Sequence, residues 1–273
     1  MSLRYFARAF FALLIAALAT VAGGEDAPKR PPFQPFKPSY RSGESYIYSV
    51  YWKGIKIGQM SFWTNTEIKQ DEPVELHFQA KSNRLGKWLY GYFRSDCRCM
   101  QDISDGSTLS FYRYLDWDES FLEEDLKYDY PKMEVRQSFR TDKHREPSIN
   151  YRLIPGKMMD PITLFQSFRF RKITEIGETR AMDLYAAGLW TASVKVTGKT
   201  SAEIEGIGRR EVWIASVNLP STGVLYETGD FALEIDVQTG IIVQAEWNGT
   251  RGACRAALVK ADNSPLPNPE KAD

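Results

Sequence analysis

A two-residue rhythm runs through this chain and rules out a helical bundle as its main architecture. In "VELHFQAK", residues 74–81, Val74, Leu76, Phe78 and Ala80 alternate with Glu75, His77, Gln79 and Lys81. Only a β-strand sends successive side chains to opposite faces, so this segment has one apolar face and one wet face. "WTASVKVTG" repeats the pattern with Trp190, Ala192, Val194 and Val196, and "MEVRQSF" does so with Met133, Val135 and Phe139. "FALEIDVQTGIIVQAEWNG" carries two such runs on either side of Gln238-Thr239-Gly240, the form of a short-looped hairpin. No internal repeat stands out. Strands at this spacing, punctuated by turn residues, predict a single mainly β fold: an antiparallel open barrel or a strongly curved sheet.

One stretch departs from the rhythm. "MDPITLFQSFRFRKI" offers Asp160 as an N-cap, Pro161 in the first turn, and Ile162, Leu164, Phe165 and Phe168 at helical spacing. The spacing predicts one short helix of about three turns, its apolar stripe laid on the sheet as a lid or plug. Arg169, Arg171 and Lys172 suit the negative end of its dipole.

The two ends read differently from the body. Residues 1–24 place Arg4 and Arg8 before an apolar run from Ala9 to Ala22 and then small residues, the order of a secretory signal peptide. Cleavage is expected after Ala22 or Gly24, with an uncleaved anchor as the alternative. The run is short of the roughly 20 residues of a membrane span, and no other stretch is long and apolar enough. The chain is therefore expected in the periplasm or outside the cell, with no stable membrane span after cleavage. Residues 25–43 are proline-rich and form an extended spacer whose Phe33 and Phe36 suit a strap over the domain. The β-rich domain is expected over residues 44–260, and residues 261–273 as a frayed, disordered tail.

Export gives the three cysteines a setting in which disulfides form. Cys97 and Cys99, two apart, point to the same face of a strand, where a bridge between them would strain the backbone. A long-range bridge from either one to Cys254 is the easier arrangement; simply buried thiols are the plainer reading. The cysteines lack the ligand spacing of a zinc site, and no metal or other cofactor is expected.

Catalytic signatures are missing. His77 and His144 sit in no nucleophile motif, and "GIGRR" at 206–210 lacks the spacing of a dinucleotide loop. The acidic run 116–125, with Asp116, Asp118, Glu119, Glu123, Glu124 and Asp125, could serve as a calcium site or a glycosidase carboxylate pair, but it reads best as a solvated charged loop. Thirty-five basic residues balance thirty-five acidic ones, so there is no footprint of a nucleic-acid binder. "NGT" at 248–250 meets the short glycosylation sequon.

Aromatic residues are in surplus. Tyr46, Tyr48 and Trp52 share one parity in "YIYSVYW", and "GKWLYGYF" adds Trp88 and Tyr90. Most strand aromatics pack a core. The excess is enough to line an apolar cavity, with Tyr46, Tyr48, Trp52, Trp88 and Tyr90 as the candidate ligand-lining residues. The same side chains could instead form a sugar platform or a protein interface.

Three stretches resemble the DUF3108 family of exported bacterial proteins. "SGESYIYSVYWKGIKIGQMSF" is similar to its opening, with Gly43, Glu44, Tyr48, Trp52, Gly54 and Gly58 in the family's places. "DPITLFQSFR" matches its central segment from Asp160 to Arg169, and "EIDVQTGIIVQAEWNGTRG" its closing hairpin, without the family's usual proline after the turn. The resemblance spans roughly residues 40–259. It implies an exported β-rich domain of unassigned activity and supplies no catalytic residue.

Together these readings predict a non-enzymatic exported protein. Its partner is expected to be an apolar or amphipathic envelope component, such as a lipid-like small molecule, or another envelope protein in assembly. The alternative is a carbohydrate-binding or carbohydrate-cleaving protein that uses the aromatics and the acidic segment 116–125.

Overall fold

The computed structural model describes residues 32–69, 71–118, 120–185, 188–218, 231–249 and 252–266. The expected signal peptide lies outside these residues, as do Thr250 of the sequon and the end of the tail.

The described chain forms fourteen strands and two helices. In order they are β1 (Ser45–Trp52), β2 (Ile55–Thr64), β3 (Val74–Ser82), α1 (Arg84–Tyr90), β4 (Phe93–Gln101), β5 (Thr108–Trp117), β6 (Ser120–Asp129) and β7 (Glu134–Thr141). Then come β8 (Ser148–Leu153), α2 (Pro161–Phe170), β9 (Thr179–Tyr185), β10 (Leu189–Ile204), β11 (Gly208–Asn218), β12 (Phe231–Asp236), β13 (Ile242–Gly249) and β14 (Gly252–Asp262). All fourteen strands belong to one sheet, in the order β8-β7-β6-β5-β4-β3-β2-β1-β14-β13-β12-β11-β10-β9. Every neighbouring pair is antiparallel.

The sheet is two meanders, β1–β8 and β9–β14, sewn together where β1 pairs β14. Short turns make this possible. Lys53 and Gly54 both have positive φ, 47° and 79°, the signature of a two-residue hairpin turn whose twist matches the strands. Register shifts at Ile47/Tyr48 against β14, Val50/Tyr51 against β2 and Val196/Gly198 against β11 bend the sheet. It curls until inward residues of β2–β5 and of β9–β13 face the same interior. The edges β8 and β9 do not meet, so the architecture is the open, strongly curved antiparallel sheet that the alternation implied.

The inner faces form the core. Val74, Leu76 and Ala80 of β3 and Trp190, Ala192, Val194 and Val196 of β10 are buried, as their parity requires. Segment 32–43 lies against the domain: Phe36 is buried, its ring packed on Gly106 and stacked with Phe170. Gly106 is required here, since a Cβ would stand 2.5 Å from that ring.

Three expectations are corrected. A second helix, α1, forms where only surplus aromatics were read; Asn83 caps it by accepting from the Gly86 N–H at 2.7 Å. Seven residues with an internal glycine are too few to show helical periodicity. The strand β14 continues to Asp262, and Leu266 is buried, so the domain runs past residue 260 into the expected tail. The described residues of the acidic run 116–125 form no loop: they make the end of β5, a turn at Asp118 and the first half of β6.

Candidate functional site

Helix α2 crosses the concave interior of the sheet and is fixed at both ends by buried polar groups. Asp160 is the N-cap: its carboxylate accepts from the backbone N–H of Ile162 at 2.6 Å and of Thr163 at 3.3 Å, and Thr163 completes a capping box. The other carboxylate oxygen accepts from Thr108 Oγ1 and Cys99 Sγ, each at 2.7 Å, which ties the helix start to β4 and β5. Burial pushes the Asp160 carboxyl above its ordinary range, against the pull of these hydrogen bonds.

The other end is held by charge. Arg169 forks onto Glu44, just before β1; Nη2 reaches Oε2 at 3.2 Å and Nη1 the other oxygen. Both side chains are buried. Tyr46 donates its hydroxyl to Glu44, and Arg169 also donates to Gln166 Oε1 at 3.0 Å. The guanidinium carbon lies 4.9 Å from the Phe170 ring centre and 5.6 Å from those of Tyr40 and Tyr46, an aromatic cage. Burial works against this charge, but Tyr46 and Glu44 outweigh it and hold the guanidinium pKa above its usual value. The β12–β13 turn presses on the same end. Gly240, at φ 70°, lies so close that a Cβ would meet Phe168 O at 2.5 Å. Arg169 thus does more than complement a helix dipole.

Between α2 and the sheet lies an apolar cavity of about 140 Å³. Tyr46, Tyr48, Phe62, Phe78 and Phe111 line it from the first meander. Val217, Leu233, Ala245 and Ala256 line it from the second, and Ile162, Phe165 and Phe168 from the helix. Both tyrosine hydroxyls are already used, Tyr46 on Glu44 and Tyr48 on Ile242 O at 2.9 Å, so the rings offer the cavity only their apolar bodies.

The candidate residues separate. Tyr46 and Tyr48 are in the wall. Trp52, at the far end of β1, packs half-buried against the core and stands outside that lining. Trp88 is 79 % exposed on α1, while Gly86 and Leu89 of that helix turn inward: Ile57 O leaves no room for a Cβ at Gly86, and Leu89 packs against the core. The Tyr90 side chain lies outside the described residues. The wall residues not proposed as ligand-lining candidates, Phe62, Phe78, Phe111, Val217 and Leu233, sit on inward positions of their strands. Their parity marked them as interior, but not as neighbours.

The thiols are a correction. Cys97, Cys99 and Cys254 are all buried, and no disulfide joins them. Cys97 and Cys99 share the inner face of β4, while Cys254 sits on β14; β3, β2 and β1 lie between the two strands. Four strand spacings amount to about 19 Å along the sheet, far beyond the Cα separation a disulfide tolerates. Burial pushes Cys97 and Cys254 each up to about 12, and burial with Asp160 beside it holds Cys99 well above its ordinary value. They are protonated, inert thiols.

Of the described acidic residues in the run, only Glu124 is buried. Glu124 is buried opposite Arg113, with Nε at 2.8 Å, and accepts from Gln137 at 2.6 Å; Glu123, on the outer face, pairs with Arg140. Among the described residues no group of three or more His, Cys, Asp or Glu side chains is placed to hold a metal ion. His77 is on the outer face, its ring stacked 5.1 Å from Trp63 and bonded to Asn65 at 3.0 Å.

No curated protein matches the chain. Among solved structures, a Bacteroides fragilis protein with a YmcC-like fold, itself inferred to be exported, aligns at 8% identity and a TM-score of 0.37 over 84% of this chain and 99% of that one. Family profiles match residues 47–248 to DUF3108, proteins of unknown function, a stretch that includes both the helix anchored at Asp160 and the hairpin that carries Gly240. The chain belongs to the DUF3108 family.

Proposed function

We propose that this protein is an exported, non-enzymatic holder of the apolar part of an amphipathic envelope molecule, such as a lipid-like compound, with the periplasm or the cell exterior as its place of work. The carrying observation is the cavity under α2. Its wall is aromatic and aliphatic, and its tyrosine hydroxyls are spoken for. Apolar cavities of roughly 150 Å³ stay dry and take up small hydrocarbons. The volume here, about 140 Å³, suits a ring or a short length of acyl chain. Gln166 and Arg169 at the helix end are the polar groups of the lining and mark where a head group would sit. Cys97, which also lines the cavity, is held protonated and is no nucleophile.

The test is to fill the space. Ala245 lines the cavity, so Ala245→Phe should occupy it. Mass spectrometry of organic extracts should find a hydrocarbon-bearing molecule released from the wild-type protein and little from the variant, with an unchanged urea midpoint. If the wild type releases nothing and Ala245→Phe costs the 1–3 kcal/mol typical of overpacking, the space is core and the holder reading is wrong.

A further inference from the structure

The two sheet edges are treated differently. Edge β9 is covered: Tyr185 N–H donates to Met159 O at 3.0 Å, and Arg180 caps the carbonyls of Arg171 and Lys172. Edge β8 has β7 on one side and, among the described residues, no strand on the other. It is also the wrong composition for an edge left in water. Ile149, Tyr151 and Leu153 are 49%, 59% and 81% exposed, where edges are usually blunted with charge.

The backbone says which groups are open. Ile154 N–H points at Met133 O on the β7 side, at 2.9 Å. Backbone groups alternate sides along a strand, so those of Ile149, Tyr151 and Leu153 face outward. The open hydrogen-bonding groups and the exposed apolar side chains thus belong to the same three residues.

From this geometry we infer that β8 pairs with β8 of a second copy of this chain, antiparallel, about a two-fold axis at Tyr151. In that register Tyr151 meets Tyr151 of the second copy and Ile149 meets Leu153 of the second copy, so each outward backbone group finds a partner and the three apolar side chains of each copy make one stripe. Arg152 falls opposite Asn150 of the second copy, so the strand's single charge faces a neutral amide and no like-charge pair arises. Pro147 and Pro155 stand four residues to either side of Tyr151. Neither can donate to a ladder, and they end the pairing symmetrically, as an isologous contact needs. Six residues per copy make a small interface, at or below the roughly 1,200 Å² of the weaker specific complexes. The dimer is therefore reversible and concentration-dependent.

Sedimentation of the whole protein over a concentration series should show a monomer–dimer equilibrium. Tyr151→Lys places like charges across the axis and should weaken it at least tenfold without lowering the melting temperature, since the site is exposed. Register is tested with single cysteines. Residue 151 pairs with itself at about 5.5 Å between Cα atoms, within disulfide reach; residue 149 is four positions from its own counterpart. Tyr151→Cys should cross-link on mild oxidation and Ile149→Cys should not. A protein monomeric at every concentration, equal cross-linking of the two variants, or dimers indifferent to Tyr151→Lys would each overturn the inference. A different protein held on β8 in place of the second copy would overturn it too.

Discussion

Substituting Glu44→Gln removes one charge from the pair that holds the end of α2 and leaves Arg169 buried without its carboxylate. Both partners are nearly inaccessible, 0% for Glu44 and 6% for Arg169 at the side chain, so solvent does little to screen the loss. Breaking a buried pair from one side costs about 3–5 kcal/mol because the remaining charge is stranded. The cage of Tyr40, Tyr46 and Phe170 keeps its cation–π attraction, each contact contributing about 0.5–2 kcal/mol, so the lower half of that range is expected. The double variant Glu44→Gln/Arg169→Met has no stranded charge and should return to within about 2 kcal/mol of wild type, since apolar replacement of a buried pair is often neutral or better. Urea melts of the wild type, both single variants and the double variant close a thermodynamic cycle. A loss under 1 kcal/mol for Glu44→Gln, or simple additivity in the cycle, would refute the claim that this pair anchors the helix.

Further outcomes follow from the same geometry. Gly54→Ala should cost about 1–2 kcal/mol, the price of left-handed backbone alone, because nothing lies within 4 Å of its Cβ position; Gly240→Ala should cost more, having the same strain and a contact at 2.5 Å, and equal losses would contradict the packing of the turn on α2. Cys97, Cys99 and Cys254, buried and protonated, should resist alkylation in the native protein and react fully in denaturant, as intact mass would record; a disulfide in the isolated protein would contradict the strand order. Burial raises the Asp160 carboxyl, and a carboxyl raised on folding contributes stability that is complete below its unfolded value and lost as pH climbs through the folded one. Compared with Asp160→Asn, which keeps an oxygen for the helix cap, wild type should lose stability as pH rises from about 4; parallel stability–pH curves would show that Asp160 stays ionised in its pocket.

Much of the candidate site was written locally. The alternation in β3 and β10 placed Leu76, Phe78, Val194 and Val196 on inward faces, since strand geometry alone sets that parity. Asp160-Pro161 marked the start of α2 because a cap and a proline act on their own turn. The first hairpin is equally local: Lys53 and Gly54 make its two-residue turn by their own left-handed backbone. These are decisions among neighbours in sequence. What sequence could not decide was who meets whom across the fold. Glu44 and Arg169 are 125 residues apart, and Arg169 looked like dipole decoration until β1 was sewn to β14 and the sheet curled over the helix. Arg113 sits on the apolar parity of Phe111 and Leu115, a signal with no meaning until Glu124 faces it from β6. The surplus aromatics divided on the same ground: Tyr46 and Tyr48 turn into the cavity, while Trp88 rides outside on a helix that one glycine seats against β2. Periodicity fixes which face a side chain takes; register and curvature, paid out over the whole sheet, fix what that face looks at.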